Sequence, residues 1–410
     1  MIYAKPFYRI ATLGTLLLAA CSGGDNSSTM GSYGYDKQFF DEEQIATIEL
    51  TSSDSDAKVL VIPAYQGRVM TSTAAGDAGD SFGWINYKLI RSGEIDPQFN
   101  PVGGEERFWL GPEGGANSWY FRPGDEQVYA NWKVPAAIDT DVWPVEALTA
   151  QKVSFAKDFA LTNASGRTFE IGVNRTVELL DRAQTADVLG IELPEAAQFV
   201  AYGSTNVITN RGSEPWLRET GLPSIWMLGL FNPTPTTTVF IPYNKACTGK
   251  LVNDTYFGKI PADRLVLDDG MLYFRIDGKY RSKLGLPAES ALDIVGSYDS
   301  ARQMLTLLKY IRPAGEVDYV NSQWGEQEDA YSGDVINSYN DGPTETGTIM
   351  GPFYEIETSS PGAALAPGES LTHTQYTMHF QADFDTLDTM VRTLFGVSLE
   401  RVVSQFANQQ

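Results

Sequence analysis

Histidine and cysteine are scarce in this 410-residue chain, with two of each. Two histidines cannot build a multi-histidine metal site, and no HExxH, CxxC pair, P-loop or GxGxxG occurs. No GxSxG stands at a strand-to-helix elbow either. No calcium-binding loop is recognisable, so no cofactor is expected, although a carboxylate-only calcium site stays compatible with the composition. Positive charge is short as well: 30 Lys and Arg against 52 Asp and Glu leave a net charge of −22. Such a chain has no broad basic face to neutralise phosphates, which excludes nucleic acid as a partner. Neutral polyols are not repelled by an acidic surface. Also missing are the regular 10–15-residue helical patterns that separate the strands of a parallel sheet.

What is present is short β-branched and aromatic runs set among 38 glycines and 21 prolines. "KVLVIP", "RTFEIGVNRTVELL", "TVFIPY", "LYFRID" and "MLTLLKYI" alternate with turn residues, which predicts an all-β antiparallel architecture. The C-terminus differs. Leu387, Met390, Val391, Leu394 and Phe395 share one helical face, Gly396 can stop that helix, and Ser398 can cap a second. A short acidic helix is expected near Gln38–Ala46. At the other end, Lys5 and Arg9 precede an apolar stretch from Ile10 to Ala20 that is too short to span a bilayer. The closing Leu18-Ala19-Ala20-Cys21 resembles the lipobox of bacterial lipoproteins. That resemblance implies a signal peptide over 1–20, lipidation of Cys21, and a membrane partner reached through the lipid. It places the protein in the bacterial cell envelope, with Ser22 after the cysteine favouring the outer membrane. Residues 21–36 then form a flexible tether, 37–382 a β-sandwich domain and 383–410 a C-terminal helical extension. With Cys21 acylated, Cys247 has no intrachain partner and is expected to be an inert thiol in a monomer.

Two regions carry candidate chemistry. Between Ser81 and Glu146 lie five of the eight tryptophans, interleaved with amides, carboxylates and arginines. Asn86, Glu105, Arg107, Trp109, Trp132 and Trp143 are candidate ligand contacts here, since aromatic platforms with polar edges suit a sugar's CH face and hydroxyl rim. Most of these tryptophans are nevertheless expected in the core. The second region is "FYEIETSSPGAALAPGESLTHTQYTMHF". Strand alternation puts Glu355 and Glu357 on one face, opposite Tyr354 and Ile356. It likewise puts His373, Gln375, Thr377 and His379 on one face, opposite Tyr376, Met378 and Phe380, which should meet the core. Glu357, His373 and His379 are the candidate acid–base groups, and Glu355 is a neighbouring contact. The competing reading is a solvated strand face with ordinary cross-strand pairs.

The sequence "IETSSP…LAPGES…YTMHF" resembles the last hairpin of galactose-mutarotase-like proteins. "VIPAYQGRVMTSTAAG" looks like the opening hairpin of that superfamily, and "GGEERFWLGPEGG" and "GLPSIWMLGLFNP…TVFIPYN" look like an uncharacterised bacterial lipoprotein branch of it. The resemblance implies an antiparallel β-supersandwich whose concave face holds a saccharide. It puts Glu357 at the position of the base that takes the anomeric hydroxyl proton and Arg68 at that of a pocket arginine. The superfamily's mid-chain histidine has no counterpart, because residues 1–372 contain none. His373 or His379 would have to supply the acid from the closing strand. Three functions follow as expectations: carbohydrate binding on the concave face, aldose-epimerase-type chemistry through Glu357, and a non-catalytic interaction role.

Overall fold

The computed structural model describes residues 29–407 apart from 316 and 345. The signal segment, Cys21 and the first half of the expected tether, residues 21–28, lie outside the described residues.

The chain begins with α1 (Tyr33–Glu42), followed by β1 (Ile48–Thr51), β2 (Lys58–Ile62) and β3 (Arg68–Thr73), which form a three-stranded antiparallel sheet. After α2 (Tyr87–Ser92) come β4 (Arg107–Gly111), β5 (Val145–Leu148), β6 (Lys152–Thr162), β7 (Thr168–Leu179), α3 (Arg182–Leu189) and β8 (Gln198–Asn210). The central part contains β9 (Ser224–Phe231), β10 (Thr237–Pro242), β11 (Leu265–Asp268), β12 (Met271–Arg275) and β13 (Ser282–Pro287). The last strands are β14 (Ile294–Asp299), β15 (Met304–Tyr310), β16 (Asp334–Asn340), β17 (Tyr354–Ser359) and β18 (Ser370–Gln381), before α4 (Phe384–Phe395) and α5 (Leu399–Ser404). A ten-stranded sheet in the order β11-β12-β10-β14-β15-β18-β8-β7-β6-β5 packs against a five-stranded sheet in the order β13-β16-β17-β9-β4. Every strand pairing within the sheets is antiparallel among the described residues.

Alternation decides what each face of the sheets meets. Between the sheets, Val239, Ile241, Val295 and Leu308 of the large sheet pack with Phe231, Tyr354 and Ile356 of the small one. The outer face of the large sheet is apolar too, and is covered by helices. Leu387, Met390, Val391, Leu399 and Val402 of α4 and α5 pack on Phe240, Tyr298, Met378 and Phe380. The C-terminal pair forms as its sequence signals dictate. Gly396 ends α4 at φ +71°, and the Ser398 hydroxyl accepts from the Arg401 N–H at 3.1 Å. The first helix starts earlier than the acidic run suggests, because Ser32 caps it. Its Asp36 is buried, accepting from Ser81 and Tyr87. The folded body therefore starts near Ser32, ahead of the expected boundary at 37. At the β2–β3 turn Gly67 has φ +62°, and a Cβ there would sit 2.6 Å from the Phe155 ring. This close approach lets the turn reach the large sheet, where the Gly67 carbonyl accepts from Arg175 Nε at 3.0 Å.

Candidate functional site

The period of two in β17 assigns its residues to two different environments. Tyr354, Ile356 and Thr358 point between the sheets, whereas Glu355 and Glu357 point to the far face of the five-stranded sheet. Register aligns what they meet there. Tyr339 stands opposite both Glu355 and Lys283, Asn337 stands opposite Glu357, and across β9 Leu228 links Glu357 to Arg107. The outcome is a row of charged groups from three strands, β4, β13 and β17, that are far apart in sequence.

Glu357 is fully buried. Its Oε2 accepts from Trp226 Nε1 at 2.8 Å and from Lys283 Nζ at 3.0 Å. Arg107 Nη2 donates to Glu355 Oε1 at 3.2 Å, and its guanidinium lies 4.0 Å from the Trp109 ring centroid and 5.5 Å from that of Phe99. Lys283 Nζ lies 4.9 Å from the Trp226 ring and 5.6 Å from that of Tyr256. Over this floor, Trp132 stacks between Tyr120 and Trp324 with centroids 6.0 and 6.2 Å away. Glu113 comes from the loop after β4, where its carboxyl feels Lys283, Glu357 and the Trp324 and Trp132 indoles. A polar wall completes the recess: the Tyr256 hydroxyl donates to Asp334, and Asn337 Nδ2 donates to Tyr256 at 3.3 Å. Lys283 keeps 12 % of its side chain exposed and Trp324 is 37 % exposed, so these two residues mark the mouth of the cleft.

Burial sets the protonation of the cleft. It pushes the Glu355 carboxyl up to about 8; Arg107 and Lys283 oppose the shift, while the Glu357 charge and a hydrogen bond to Glu357 add to it. Burial also raises Glu113, against the pull of Lys283. On Lys283 burial acts downward, but Glu357, Glu113 and Glu355 more than offset it and hold the ammonium above its usual range. A carboxyl whose folded pKa lies above its unfolded value binds a proton that the unfolded chain has lost. Stability from Glu355 is therefore complete below about 4.5 and is lost as pH rises towards about 8. Glu355→Gln should remove this dependence. Urea midpoints should shift in the variant's favour between pH 5 and pH 8, by on the order of 1 kcal/mol per pH unit. An unchanged difference across that range would show that Glu355 is ionised in the folded protein.

Of the residues singled out from the sequence, Glu355, Glu357, Arg107, Trp109 and Trp132 meet in the cleft. The others lie elsewhere. His373 and His379 do share a face, but it is the interior one. His373 Nε2 bonds Thr358 Oγ1 at 2.8 Å, and the Thr358 hydroxyl donates to Gln375 Oε1 at 2.6 Å. Because the threonine proton goes to the amide, His373 carries its own proton on Nε2; burial lowers its pKa to about 4, so it is neutral. His379 is bound by Glu105 Oε1 and Thr306 Oγ1, both at 2.8 Å. The apolar face of β18 does meet a core, the one formed with the C-terminal helices, whereas the expectation that its polar face meets a surface is corrected. The polar face lies between the sheets, and helices cover the apolar one.

Arg68 is buried against the Gly103 carbonyl at 2.7 Å and Gln66 at 3.3 Å. Asn86 caps α2, and Trp143 is a core residue donating to the Ala137 carbonyl at 2.9 Å. Sequence reasoning missed Lys283, Trp226, Tyr256, Asp334, Glu113 and Trp324. Glu113 and Trp324 stand in aromatic, glycine-rich stretches that could have drawn attention, whereas Lys283 in "SKLGLP" carries no signal of its own. A separate groove of about 490 Å³ lies on the outer face of the large sheet beside α3, lined by Lys152, Thr176, Glu178, Thr205 and Tyr376 among others. Its charged groups Lys152 and Glu178 pair with each other at 2.9 Å.

The chain is similar in fold to the Slr1438 protein of Synechocystis sp. PCC 6803, at 14 % identity and a TM-score of 0.50, over 83 % of this chain and 96 % of that one. Galactose mutarotase-like proteins are among its structural neighbours. One, from Lactobacillus casei ATCC 334, is 11 % identical with a TM-score of 0.49, over 82 % of this chain and 100 % of that one. A galactose mutarotase related enzyme from Lactobacillus acidophilus is 9 % identical with a TM-score of 0.44, over 82 % and 98 %. No curated protein matches the chain. A family model covers residues 31–406 and is described as a family of unknown function, DUF6786.

Proposed function

Because the chain belongs to DUF6786, a family described without an activity, we propose from the site itself that the cleft on the five-stranded sheet binds a saccharide. The observation that carries this reading is one sheet face on which Glu357, held by Lys283 and Trp226, adjoins Glu355, held by Arg107, beneath the indoles of Trp109, Trp132 and Trp324. Alternating acceptors and donors match a hydroxyl rim, and the indole faces match CH groups. Arg107 Nε and Trp109 Nε1 are buried without a partner among the described residues, so the face has hydrogen-bonding capacity that the protein itself does not use. Calorimetric titration of the folded protein with a panel of mono- and oligosaccharides tests the reading; saturable binding that quenches tryptophan fluorescence supports it. A panel without binding, on protein with a cooperative melting transition, would count against it.

A second reading, that the cleft also catalyses, is favoured by the raised pKa of Glu355 beside a carboxylate, since shifted groups gather where protons are moved. We further propose that Cys21 is lipidated and holds the domain at the bacterial outer membrane. The support is the order of basic, apolar and small residues before that cysteine. Cells fed labelled palmitate should label the wild-type protein, whereas Cys21→Ser should leave it unlabelled and free of the membrane fraction. Labelling that survives the substitution would refute the anchor.

A further inference from the structure

The groups that the cleft offers to a ligand are covered by the protein itself. Glu357, Trp109, Arg107, Trp132 and Glu355 are between 0 and 7 % exposed, so a sugar can touch them only after something above them moves. The cover at the mouth is formed by residues 321–330, in the connection from β15 to β16, with Trp324 at its tip. Trp324, Gly325, Glu326, Glu328 and Asp329 are exposed there. The neck of this segment is pinned. Tyr319 and Ser332 form a β-bridge, the Asn321 N–H donates to the Ala330 carbonyl, and the Gly333 N–H donates to the Tyr319 carbonyl, both at 2.9 Å. Within the tip, Gln327 Nε2 donates to the carbonyls of Asn321 and Gln323 at 2.8 and 2.6 Å. The segment is thus a preformed unit on a narrow neck rather than a slack loop.

The ties that hold the tip down are few and near the surface. The Glu113 N–H donates to Ser322 Oγ at 3.1 Å, and the Gly325 N–H donates to Gln127 Oε1 at 2.8 Å. The second of these bonds is exposed, so water can replace it at little cost. Trp324 adds its stack on Trp132 and an edge contact with Phe121, centroids 5.1 Å apart. Under the tip, Gly114 lets the two backbones touch. A Cβ there would stand 2.2 Å from the Gln323 carbonyl oxygen and 2.7 Å from Trp324 Cα.

We propose that residues 321–330 are a lid, which swings off the cleft on its neck to admit a ligand and then lays Trp324 back over it. The inference rests on reading the cleft as a saccharide site. A ring that enters between the two indoles is covered by Trp132 on one face and Trp324 on the other, an arrangement suited to a pyranose. Reclosure also keeps water from the Arg107–Glu355 and Lys283–Glu357 pairs, which strengthens them. The fraction of molecules with the lid open sets the rate of entry and scales the apparent affinity. Loosening the lid therefore speeds entry and, because the bound ring is less well covered, speeds exit too.

Hydrogen exchange resolved to single amides tests the swing without any ligand. In the wild type the Gly325 amide should exchange faster than the neck amides of Asn321 and Gly333. Two variants loosen the lid by different means. Ser322→Ala removes one tie, and Gly114→Ala drives a wedge under the tip; Gly114 has no positive φ, so alanine suits its backbone and acts only through the collision. Each should speed exchange at Gly325 about 3- to 10-fold and leave Asn321 and Gly333 unchanged. Equal exchange at all three amides in the wild type, or variants that speed the neck as much as the tip, overturns the lid. Stopped-flow tryptophan fluorescence with D-glucose, D-galactose, maltose and lactose then reads the gating. Association should be about 3- to 10-fold faster in both variants, with dissociation faster as well. Rates equal to those of the wild type overturn the gate and leave the binding site standing. If none of these sugars binds a protein that melts cooperatively, the saccharide reading fails, while the exchange result still decides the swing.

Discussion

Glu106→Ala is expected to cost about 3–5 kcal/mol of folding stability, a large part of what holds most domains folded. The carboxylate is fully buried between the sheets, and its Oε1 accepts from Arg175 Nη2 at 2.8 Å. Its Oε2 accepts from Gln375 Nε2 at 3.0 Å. Arg175 spends its other nitrogens on the Gly67 carbonyl and on Asn206 Oδ1, at 3.0 and 2.8 Å. Through Gln375 and Thr358 the same network ends on neutral His373. Removing the carboxylate leaves a guanidinium with no exposure and no counter-charge, and the desolvation penalty of that ion dominates the effect. Glu106→Gln keeps the shape and loses the charge, so it should be nearly as damaging. The double variant Glu106→Gln with Arg175→Met should recover part of the loss, because no buried ion is left alone. Urea unfolding of the four proteins measures this. A single variant within about 1 kcal/mol of wild type would mean that the interior pair is solvated or exchangeable.

Glu357→Ala should have the largest effect on ligand binding, lowering saccharide affinity by about 10²-fold or more. Truncating one partner of a desolvated charge pair costs about 2–5 kcal/mol, much of it from the partner left behind. The partner here is Lys283, 12 % exposed, whose ammonium would face only the weaker fields of Glu113 and Glu355. Trp226 Nε1 would also lose its acceptor and, with it, the restraint that fixes the indole as a platform. Glu357→Gln retains an acceptor for both and should lose less affinity. The order wild type, Gln, Ala in affinity therefore reports the charge and the hydrogen bonds separately. Equal affinities for all three in calorimetry would remove Glu357 from the site.

Much of the fold was legible because alternation and turn chemistry act locally. Gly396 and Ser398 mark the C-terminal helices by the same rules that the structure uses. Alternation also paired Glu355 with Glu357 on one face and His373 with His379 on another. It could not say which face is interior, since in a stack of two sheets flanked by helices both faces of β18 are covered. Apolar Met378 and Phe380 pack outward under α4 and α5, while polar Gln375 and His379 are satisfied inside by Glu106 and Glu105. The rest of the cleft was not legible because its members meet only through long-range register. Lys283 reaches Glu357 across β16, and Trp226 reaches it from the neighbouring β9. Neither spacing nor composition encodes which strands become neighbours. Arg68, Asn86 and Trp143 illustrate the converse error: their chemistry suits a site, but backbone carbonyls, a helix cap and the core use it up.

The most direct test of the account is a calorimetric titration of the purified domain with reducing saccharides, wild type beside Glu357→Gln, with tryptophan fluorescence recorded on the same samples. The account predicts one saturable site in the wild type, quenching as the indoles around the cleft are covered, and affinity clearly weakened in the variant. Saccharide binding of equal strength in the two proteins, or no binding to a wild-type protein that melts cooperatively, would contradict it.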